Sequence, residues 1–209
     1  MNNYNIIGFS GGTASGKTTM VSKLFNHYGK NESVIIDQDS YYKDQNVLSY
    51  EQRSKINYDH PDAIDFDLLY DNLISLINGK IINKPNYNHK THTRDVNFES
   101  INPKKLIFVE GTLVFHFKKL TDLMLLKIFI HTSEKIRFSR RLERDINERG
   151  RDSASVCKQY ADTVYPMHQK FVEPCSSTAD MNISGEKNIK DSIKQIIHSI
   201  DDIVLVKKN

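Results

Sequence analysis

The chain has 209 residues, of which 38% are hydrophobic and 26% are charged, and its net charge is +3. This balance favours a folded domain over a disordered chain, and the small positive excess leaves open a nucleic acid, a membrane surface or a small phosphate compound as partner. No apolar run approaches the roughly 20 residues that span a bilayer, the first residues do not resemble a signal peptide, and the two cysteines form no disulfide framework. A cytoplasmic location is therefore expected.

Short apolar runs alternate along the chain with segments that carry apolar residues at helical spacing. Strands are predicted at 5–10, 34–36, 106–109, 127–130 and 181–183, and helices at 18–28, 65–77, 133–149, 154–165 and 189–203. Two more strands, 81–87 and 93–98, are predicted to pair outside the main sheet. The alternation favours an α/β fold in which helices flank a mostly parallel sheet. A single domain over 1–209 is expected, with an inserted β-hairpin at about 80–101.

A glycine-rich segment joins the first predicted strand to the first predicted helix. It reads Gly11-Gly12-Thr13-Ala14-Ser15-Gly16-Lys17-Thr18 and fits G-x-x-x-x-G-K-[ST], the Walker A P-loop. Its glycines let backbone N–H groups and a helix N-terminus surround phosphates, the lysine reaches the terminal phosphates, and the threonine hydroxyl coordinates Mg²⁺. The pattern predicts a nucleoside triphosphate site that consists of Gly11, Gly12, Thr13, Ala14, Ser15, Gly16, Lys17, Thr18 and Thr19.

An acidic residue, Glu110, ends the apolar strand predicted at 106–109 and precedes Gly111. In P-loop folds an acidic residue at the end of a neighbouring strand holds Mg²⁺, directly or through water. A solvated carboxylate at a strand end is the alternative. Glu110 is therefore a candidate metal ligand together with Thr18.

The residues from 37 to 94 indicate which class of P-loop protein this chain represents. This segment is rich in Asp, His, Tyr and Arg on predicted loops, and such loops at the carboxyl ends of strands bind ligands in doubly wound folds. The chain lacks the Asn-Lys-x-Asp motif by which GTPases read their base. A small-molecule kinase is favoured. A P-loop ATPase or a regulatory nucleotide-binding module without a small substrate is the alternative from another class.

Six further segments stand out along the chain: Asp37-Gln38-Asp39-Ser40-Tyr41-Tyr42-Lys43, Asn57-Tyr58-Asp59-His60-Pro61-Asp62-Ala63, His92-Thr93-Arg94, Glu110-Gly111, Arg144-Asp145-Ile146-Asn147-Glu148-Arg149-Gly150-Arg151 and Pro166-Met167-His168. In their residues, order and spacing the chain resembles the uridine kinase (uridine–cytidine kinase) family over about residues 5–183. The resemblance implies a P-loop kinase that uses Mg²⁺ and ATP or GTP to phosphorylate the 5′-hydroxyl of uridine or cytidine. It also implies a homotetramer regulated by pyrimidine triphosphates.

The resemblance also implies roles for single residues. Asp39 matches the general base and is a further candidate Mg²⁺ ligand, with Asp37 as its rival on the opposite face of the strand. Asp59 matches the residue that accepts from the ribose hydroxyls. His92 matches the base-reading position, where a neutral imidazole can donate and accept and so suit both uracil and cytosine. The remaining substrate candidates are Tyr42, Tyr58, Tyr87, Arg141, Arg151 and Gln159.

These assignments compete with plainer roles. Asp39 and Asp59 can serve as turn or cap carboxylates, the tyrosines as core, and His92 as an exposed loop residue. The pair His89 and His92 could indicate zinc, but no further Cys or His nearby completes a set of four ligands. The residues Asn88-His89 depart from the family pattern, in which an aromatic side chain follows, so His89 is expected to stack in its place.

Arginines accumulate at the end of the helix predicted at 133–149 and just beyond it. Residues 137–151 hold six arginines and three acids, so this stretch alone carries a charge of +3. A lid at about 137–152 that closes over a triphosphate is expected, with Lys17, Arg144 and Arg149 as cations that act on the transferring group. The alternative is a solvated helix held by the pairs Arg141–Asp145, Arg144–Glu148 and Asp145–Arg149.

The position of this charge favours a mononucleotide over a nucleic acid polymer or a membrane as the anionic partner. The segment 175–185 also departs from the family pattern, which leaves the contacts to the donor base and the subunit interface undetermined. A related kinase such as phosphoribulokinase is the nearest alternative to a nucleoside kinase.

Overall fold

The computed structural model describes residues 4–206. Its strands are β1 (Asn5–Ser10), β2 (Ser33–Asp37), β3 (Ile82–Asn88), β4 (Thr93–Ile101), β5 (Leu106–Glu110), β6 (Met124–His131) and β7 (Met181–Ser184). Five of them form one parallel sheet in the order β2-β5-β1-β6-β7. The other two, β3 and β4, form a separate antiparallel hairpin. The predicted α/β class and the inserted hairpin are therefore confirmed.

Helices connect these strands. They are α1 (Lys17–Tyr28), α2 (Tyr50–Ser54), α3 (Phe66–Ile77), α4 (Lys118–Thr121), α5 (Glu134–Asn147), α6 (Ser153–Gln159), α7 (Tyr165–Met167) and α8 (Ile189–Val206). Two ends form as the sequence predicts: Gly29 follows α1 with a φ of 80°, and Asp65 caps α3 by accepting from the backbone N–H of Leu68. Within residues 4–206, no helix has both the length and the apolar character required for crossing a bilayer.

The sheet is covered on both faces. Every residue of β1 and of β5 is buried, which is why these strands read as continuous apolar runs and not as alternating patterns. Residues of α1 and α8 pack on one face, where Leu24 and Ile196 meet Phe9 and Phe108. Helix α3 packs on the other face through Leu69, Leu73 and Leu76. This core holds the carboxyl ends of β1, β2 and β5 at one edge.

The predicted helix 154–165 is wrong at its C-terminal end. The sequence predicts a stop at Pro166, but helical structure continues through a π-helical segment (Tyr160–Val164), α7, a second π-helical segment (His168–Val172) and a 3-10 segment (Glu173–Thr178). Proline lacks a backbone N–H and cannot close a regular helical turn. The widened turn before Pro166, in which the Tyr165 N–H donates to the Tyr160 carbonyl, lets the chain continue past it.

Candidate active site

The P-loop leaves β1 and enters α1 with a backbone that surrounds an open cradle. Gly16 caps α1 with a φ of 99°, and Ala14 has a φ of 56°, a value that non-glycine residues rarely adopt. The Ser15 N–H donates to the Gly12 carbonyl at 3.1 Å, which closes the turn. Because no described side chain caps the first turn of α1, its N–H groups are available to an anion.

The end of β6 supports this loop from behind. The Thr132 hydroxyl donates to the Ser15 carbonyl at 2.9 Å. A Cβ on Gly11, whose φ is 151°, would lie 2.6 Å from the Ile130 carbonyl oxygen, so only glycine fits there. The Thr132 hydroxyl and the close approach of Gly11 to Ile130 thus hold the cradle against the end of β6.

Glu110 lies beside the first turn of α1, because β5 pairs with β1 and places Glu110 opposite Phe9. The Thr18 hydroxyl donates to Glu110 Oε1 at 2.9 Å. Burial raises the pKa of Glu110, the Lys17 ammonium lowers it in part, and Asp39 raises it further. A buried carboxylate and an exposed hydroxyl, with a second carboxylate nearby, are hard oxygen donors of the kind that a divalent cation such as Mg²⁺ prefers.

Asp37 and Asp39 have different surroundings at the end of β2. Asp37 caps the 3-10 turn by accepting from the Ser40 N–H at 2.8 Å, and it also accepts from Lys84 Nζ at 2.8 Å. Burial raises the pKa of Asp37, but Lys84 and Ser40 lower it more, so that it falls below its ordinary value. Asp39 is exposed and accepts no hydrogen bond from any described residue. Asp37 is occupied by the fold, whereas Asp39 is free for a substrate.

Two basic residues anchor the hairpin to this edge, and the sequence analysis did not single out either one. Lys84 is only 8% exposed although it is a lysine on β3, and it also pairs with Glu99 at 3.1 Å. Arg94 donates from Nε to the Tyr42 carbonyl at 2.9 Å and from Nη2 to Asp65 at 3.0 Å. Lys84 follows Ile82 by two residues and so shares its face of the strand, and this spacing was the signal that could have identified the first anchor.

Five aromatic rings come together between the hairpin and the loops after β2. The ring of Tyr42 lies 5.5 Å from Tyr58 and 5.0 Å from Tyr87, measured between ring centroids. His92 stacks on Tyr58 at 4.7 Å with an interplanar angle of 12°. His89 packs edge-on against Tyr87 at 5.2 Å, so it does join the cluster. The cluster offers flat apolar faces to a planar ligand.

His92 occupies a strained position at the tip of the hairpin. Its φ is 56°, and its backbone N–H donates to the Asn88 carbonyl at 2.8 Å, which closes the turn. Burial lowers the pKa of His92, and the positive charges of the nearby side chains His89, Arg53 and Arg151 lower it further. The ring is therefore neutral at pH 7, which leaves one nitrogen to donate and one to accept.

Asp59 faces the same space from the loop before α3. It accepts a long hydrogen bond of 3.3 Å from the Thr163 hydroxyl. Burial raises the pKa of Asp59, and Arg141 lowers it only in part. A carboxylate held in this way gains from a ligand that donates hydrogen bonds, such as a pair of sugar hydroxyls.

The arginines of α5 and the following turn connect the P-loop to this space. Arg141 Nη1 donates to the Thr13 hydroxyl at 3.0 Å, and its Nη2 donates to Gln159 at 3.1 Å. Arg151 donates to the same Gln159 oxygen. Thr19 is exposed in the first turn of α1, as its neighbour Thr18 is.

One predicted ion pair of this helix is wrong. Asp145 pairs with Arg141 at 3.5 Å and with Arg149 at 3.4 Å, as helical spacing predicts. Arg144, however, forms no ion pair with Glu148 among the described residues, because it turns to Asp145 and binds it at 2.9 Å. Asp145 is fully buried, and a buried carboxylate attracts cations more strongly than an exposed one.

The zinc interpretation of His89 and His92 gains no support. Over residues 4–206, no three His, Cys, Asp or Glu side chains gather into a group able to hold a metal ion.

Comparisons with known proteins agree with this architecture. Two solved kinases share the fold: phosphoribulokinase from Rhodobacter spheroides, with a TM-score of 0.61 and 13% identity over 88% of this chain and 71% of that one, and D-glycerate 3-kinase from Cryptococcus neoformans, with a TM-score of 0.61 and 13% identity over 88% of this chain and 87% of that one.

Other proteins are much more similar to this chain in sequence than the two solved kinases are. A protein named uridine kinase from Halalkalibacterium halodurans is 48% identical over 178 residues, which are 85% of this chain and 84% of that protein. Another uridine kinase, from Clostridium perfringens, is 42% identical over 198 residues, which are 95% of each chain. The model of the phosphoribulokinase / uridine kinase family matches residues 6–190. The protein whose P-loop and aromatic cluster are described above therefore belongs to the phosphoribulokinase / uridine kinase family.

Proposed function

We propose that this protein is a nucleoside kinase that transfers the γ-phosphate of ATP to the 5′-hydroxyl of uridine and forms UMP. The observation that carries this proposal is the aromatic cluster, whose Tyr42 ring lies near enough to the exposed Asp39 to feel its charge. Flat rings suit a pyrimidine base, and a carboxylate suits the hydroxyl that is to be phosphorylated. The close relatives named uridine kinase support the same substrate.

The donor is proposed to bind with its phosphates in the P-loop. Backbone N–H groups of 11–16 and the N-terminus of α1 face the phosphates, and Lys17 reaches the terminal one. Arg144 and Arg149 approach from the lid at about 137–152 and oppose the charge that develops on the transferring group. Either ATP or GTP fits this description, because the phosphate contacts are the same for both.

The acceptor is proposed to bind between Asp59 and the aromatic cluster. Asp59 accepts from the ribose hydroxyls, with Arg141, Arg151 and Gln159 along the sugar and the base. Neutral His92 reads the base edge, which suits cytidine as well as uridine. Asp39 orients the 5′-hydroxyl and accepts its proton while the oxygen attacks the γ-phosphorus and the bond to ADP breaks.

A divalent metal ion fits the oxygen donors of Thr18, Glu110 and Asp39, and Mg²⁺ is the proposed ion. When bound there, such an ion would neutralise part of the negative charge of the phosphates. The residues of this chain supply the rest: Lys17 and the arginines hold phosphates, and the closing lid excludes water from the transferring group.

The proposal also covers the partners, the location and the assembly of the protein. The partners are small molecules and not a nucleic acid polymer or a membrane, the location is the cytoplasm, and the assembly is a homotetramer. The exposed apolar side chains Val96 and Phe98 on the outer face of the hairpin are consistent with contacts between copies of the chain. Light scattering at several protein concentrations measures the assembly.

An acceptor panel tests the proposed reaction. ADP release is measured with ATP and Mg²⁺ while uridine, cytidine and ribulose 5-phosphate are offered separately. We expect turnover with uridine and cytidine and none with ribulose 5-phosphate, because an aromatic cluster is a poor site for an anionic sugar phosphate. ADP release without any acceptor would indicate the ATPase alternative, and turnover with ribulose 5-phosphate alone would indicate a phosphoribulokinase. No ADP release with any acceptor would indicate a nucleotide-binding module without kinase activity.

A further inference from the structure

One buried carboxylate lies among the arginines of the proposed lid. Asp145 on α5 is 0% exposed, and four arginine side chains approach its two oxygens within 3.7 Å. They are Arg141, Arg144, Arg149 and Arg151. One negative charge therefore faces four positive charges, so Asp145 determines where these guanidinium groups lie but leaves most of their charge for other anions.

The two oxygens of Asp145 divide the arginines into two pairs. Oδ1 accepts from Arg144 at 2.9 and 3.0 Å and lies 3.4 Å from Arg149 Nη1. Oδ2 lies 3.5 Å from Arg141 Nε and 3.7 Å from Arg151 Nη1. The first pair is the one proposed to act on the donor phosphates. The second pair binds Gln159 on the nucleoside side, and its Arg141 also donates to Thr13 of the P-loop. A single rigid carboxylate thus contacts both halves of the site.

The two oxygens are not equally satisfied. Oδ1 accepts two hydrogen bonds, whereas Oδ2, although buried, accepts none from any described residue, and Arg141 Nε donates none. A buried acceptor without a hydrogen bond carries a desolvation penalty. A small inward movement of Arg141 and Arg151 would shorten both contacts to hydrogen-bond length, about 2.8 Å for a charged pair. A nucleoside seated against these two arginines would favour that movement.

We propose that Asp145 is a positioning residue that couples the nucleoside subsite to the donor-phosphate subsite. This proposal rests on the proposed kinase function. Nucleoside binding shortens the contacts of Arg141 and Arg151 with Oδ2, and these contacts fix the plane of the carboxylate. Oδ1, fixed in turn, then holds Arg144 and Arg149 in the orientation that contacts the phosphates. The coupling is reciprocal, so donor phosphates increase the affinity for the nucleoside by the same factor.

Calorimetry of uridine binding tests this coupling. The dissociation constant of uridine is measured with and without the β,γ-imido analogue of ATP and Mg²⁺, in the wild type, in Asp145→Asn and in Glu148→Gln. Asp145→Asn keeps the shape of the side chain and removes its charge. Glu148→Gln removes the same charge from an exposed position of the same segment, where no described arginine pairs with it. We expect the analogue to tighten uridine about fivefold or more in the wild type and in Glu148→Gln, and to have almost no effect in Asp145→Asn.

The decisive quantity is the ratio of the uridine dissociation constants without and with the analogue. An equal ratio in the wild type and in Asp145→Asn would overturn the proposal, as would a ratio of one in the wild type. Should Asp145→Asn fail to fold, Arg149→Gln replaces it, since the Arg149 side chain is 44% exposed. We expect the analogue to increase uridine affinity less in this variant than in the wild type; an undiminished increase would contradict the coupling. UMP formation by the wild type is measured in parallel, so that failure of the kinase function is seen separately.

Discussion

The donor-phosphate end and the nucleoside end of the site are built in different ways. The donor end is one continuous loop between β1 and α1, and the Thr132 hydroxyl and the close approach of Gly11 to Ile130 hold it against the end of β6. The nucleoside end comes from three separate stretches: the loops after β2, the hairpin, and the helical segment after α5. Lys84 and Arg94 hold the first two stretches together through ionic contacts.

This difference indicates which perturbations will separate the two ends. A contact that anchors the hairpin should affect uridine and leave ATP almost unchanged, because the P-loop does not rest on the hairpin. Residues that touch the reacting atoms, such as Asp39, should affect the chemical step itself. The following predictions run from the largest expected effect to the smallest.

Asp39 lies at the junction of the two ends. Asp39→Asn removes the proposed proton acceptor, so we expect kcat to fall by a factor of about 10²–10⁴ while ATP binding and folding are retained. Asp62→Asn is the matched control, since Asp62 is an exposed carboxylate on a neighbouring loop. Initial rates of ADP release with saturating uridine measure the effect. Wild-type turnover in Asp39→Asn would remove Asp39 from the mechanism.

Lys84 anchors the hairpin to the end of β2 through Asp37, and it also pairs with Glu99 across the hairpin. Lys84→Met leaves both carboxylates without their cation, so we expect the free energy of unfolding to fall by about 1–3 kcal/mol. The KM for uridine should rise by a factor of about 10–100, with little change in the KM for ATP. Lys80→Met, at an exposed lysine before the hairpin, is the control. Equal changes in both KM values would contradict the separation of the two ends.

Tyr58 stacks on His92 within the aromatic cluster. Tyr58→Leu keeps an apolar side chain but removes the ring, so we expect a loss of about 0.5–1.5 kcal/mol in uridine binding and a KM about 2–10 times higher. Tyr165→Leu removes a partly exposed ring outside the cluster and should leave the KM unchanged. If Tyr58→Leu also leaves it unchanged, the base does not stack in this cluster.

The smallest effect expected is a pH dependence that belongs to the nucleoside end. Burial raises the pKa of Asp59 above its ordinary value of 3.8, so its carboxylate takes up a proton at a higher pH than an exposed aspartate does. As the pH falls through this raised pKa, Asp59 loses its charge and the KM for uridine should rise. Asp59→Asn should bind uridine more weakly and lose this pH dependence. If the KM for uridine depends on pH in Asp59→Asn as it does in the wild type, another group is the one that titrates.

The sequence predicted the donor end more fully than the nucleoside end for a physical reason. A P-loop is eight consecutive residues whose backbone makes the site, so its position follows from the strand before it and the helix after it. Lys84 and Asp145 were missed as organising residues because their importance comes from burial against partners that are distant in sequence or on a helix face of undetermined orientation. Helical spacing predicted two partners of Asp145 correctly, but it could not show that Arg144 turns to this buried carboxylate and away from Glu148.

The error at Pro166 has a related origin. Local rules predict a stop there, yet Val164 and His168 on either side are buried against the rest of the protein, and that packing is retained by widening the turn. At the departure Asn88-His89, the His89 ring packs edge-on against Tyr42 and Tyr87, and its stacking on a pyrimidine stays a prediction.

The central claim is that the two ends meet at the 5′-hydroxyl of a nucleoside. The most direct test compares uridine with 5′-deoxyuridine, which has the same base and ribose hydroxyls but no oxygen to phosphorylate. We predict UMP and stoichiometric ADP from uridine, and neither a phosphorylated product nor stimulated ADP release from 5′-deoxyuridine. ADP release stimulated equally by both compounds, or a phosphorylated product from 5′-deoxyuridine, would contradict the account.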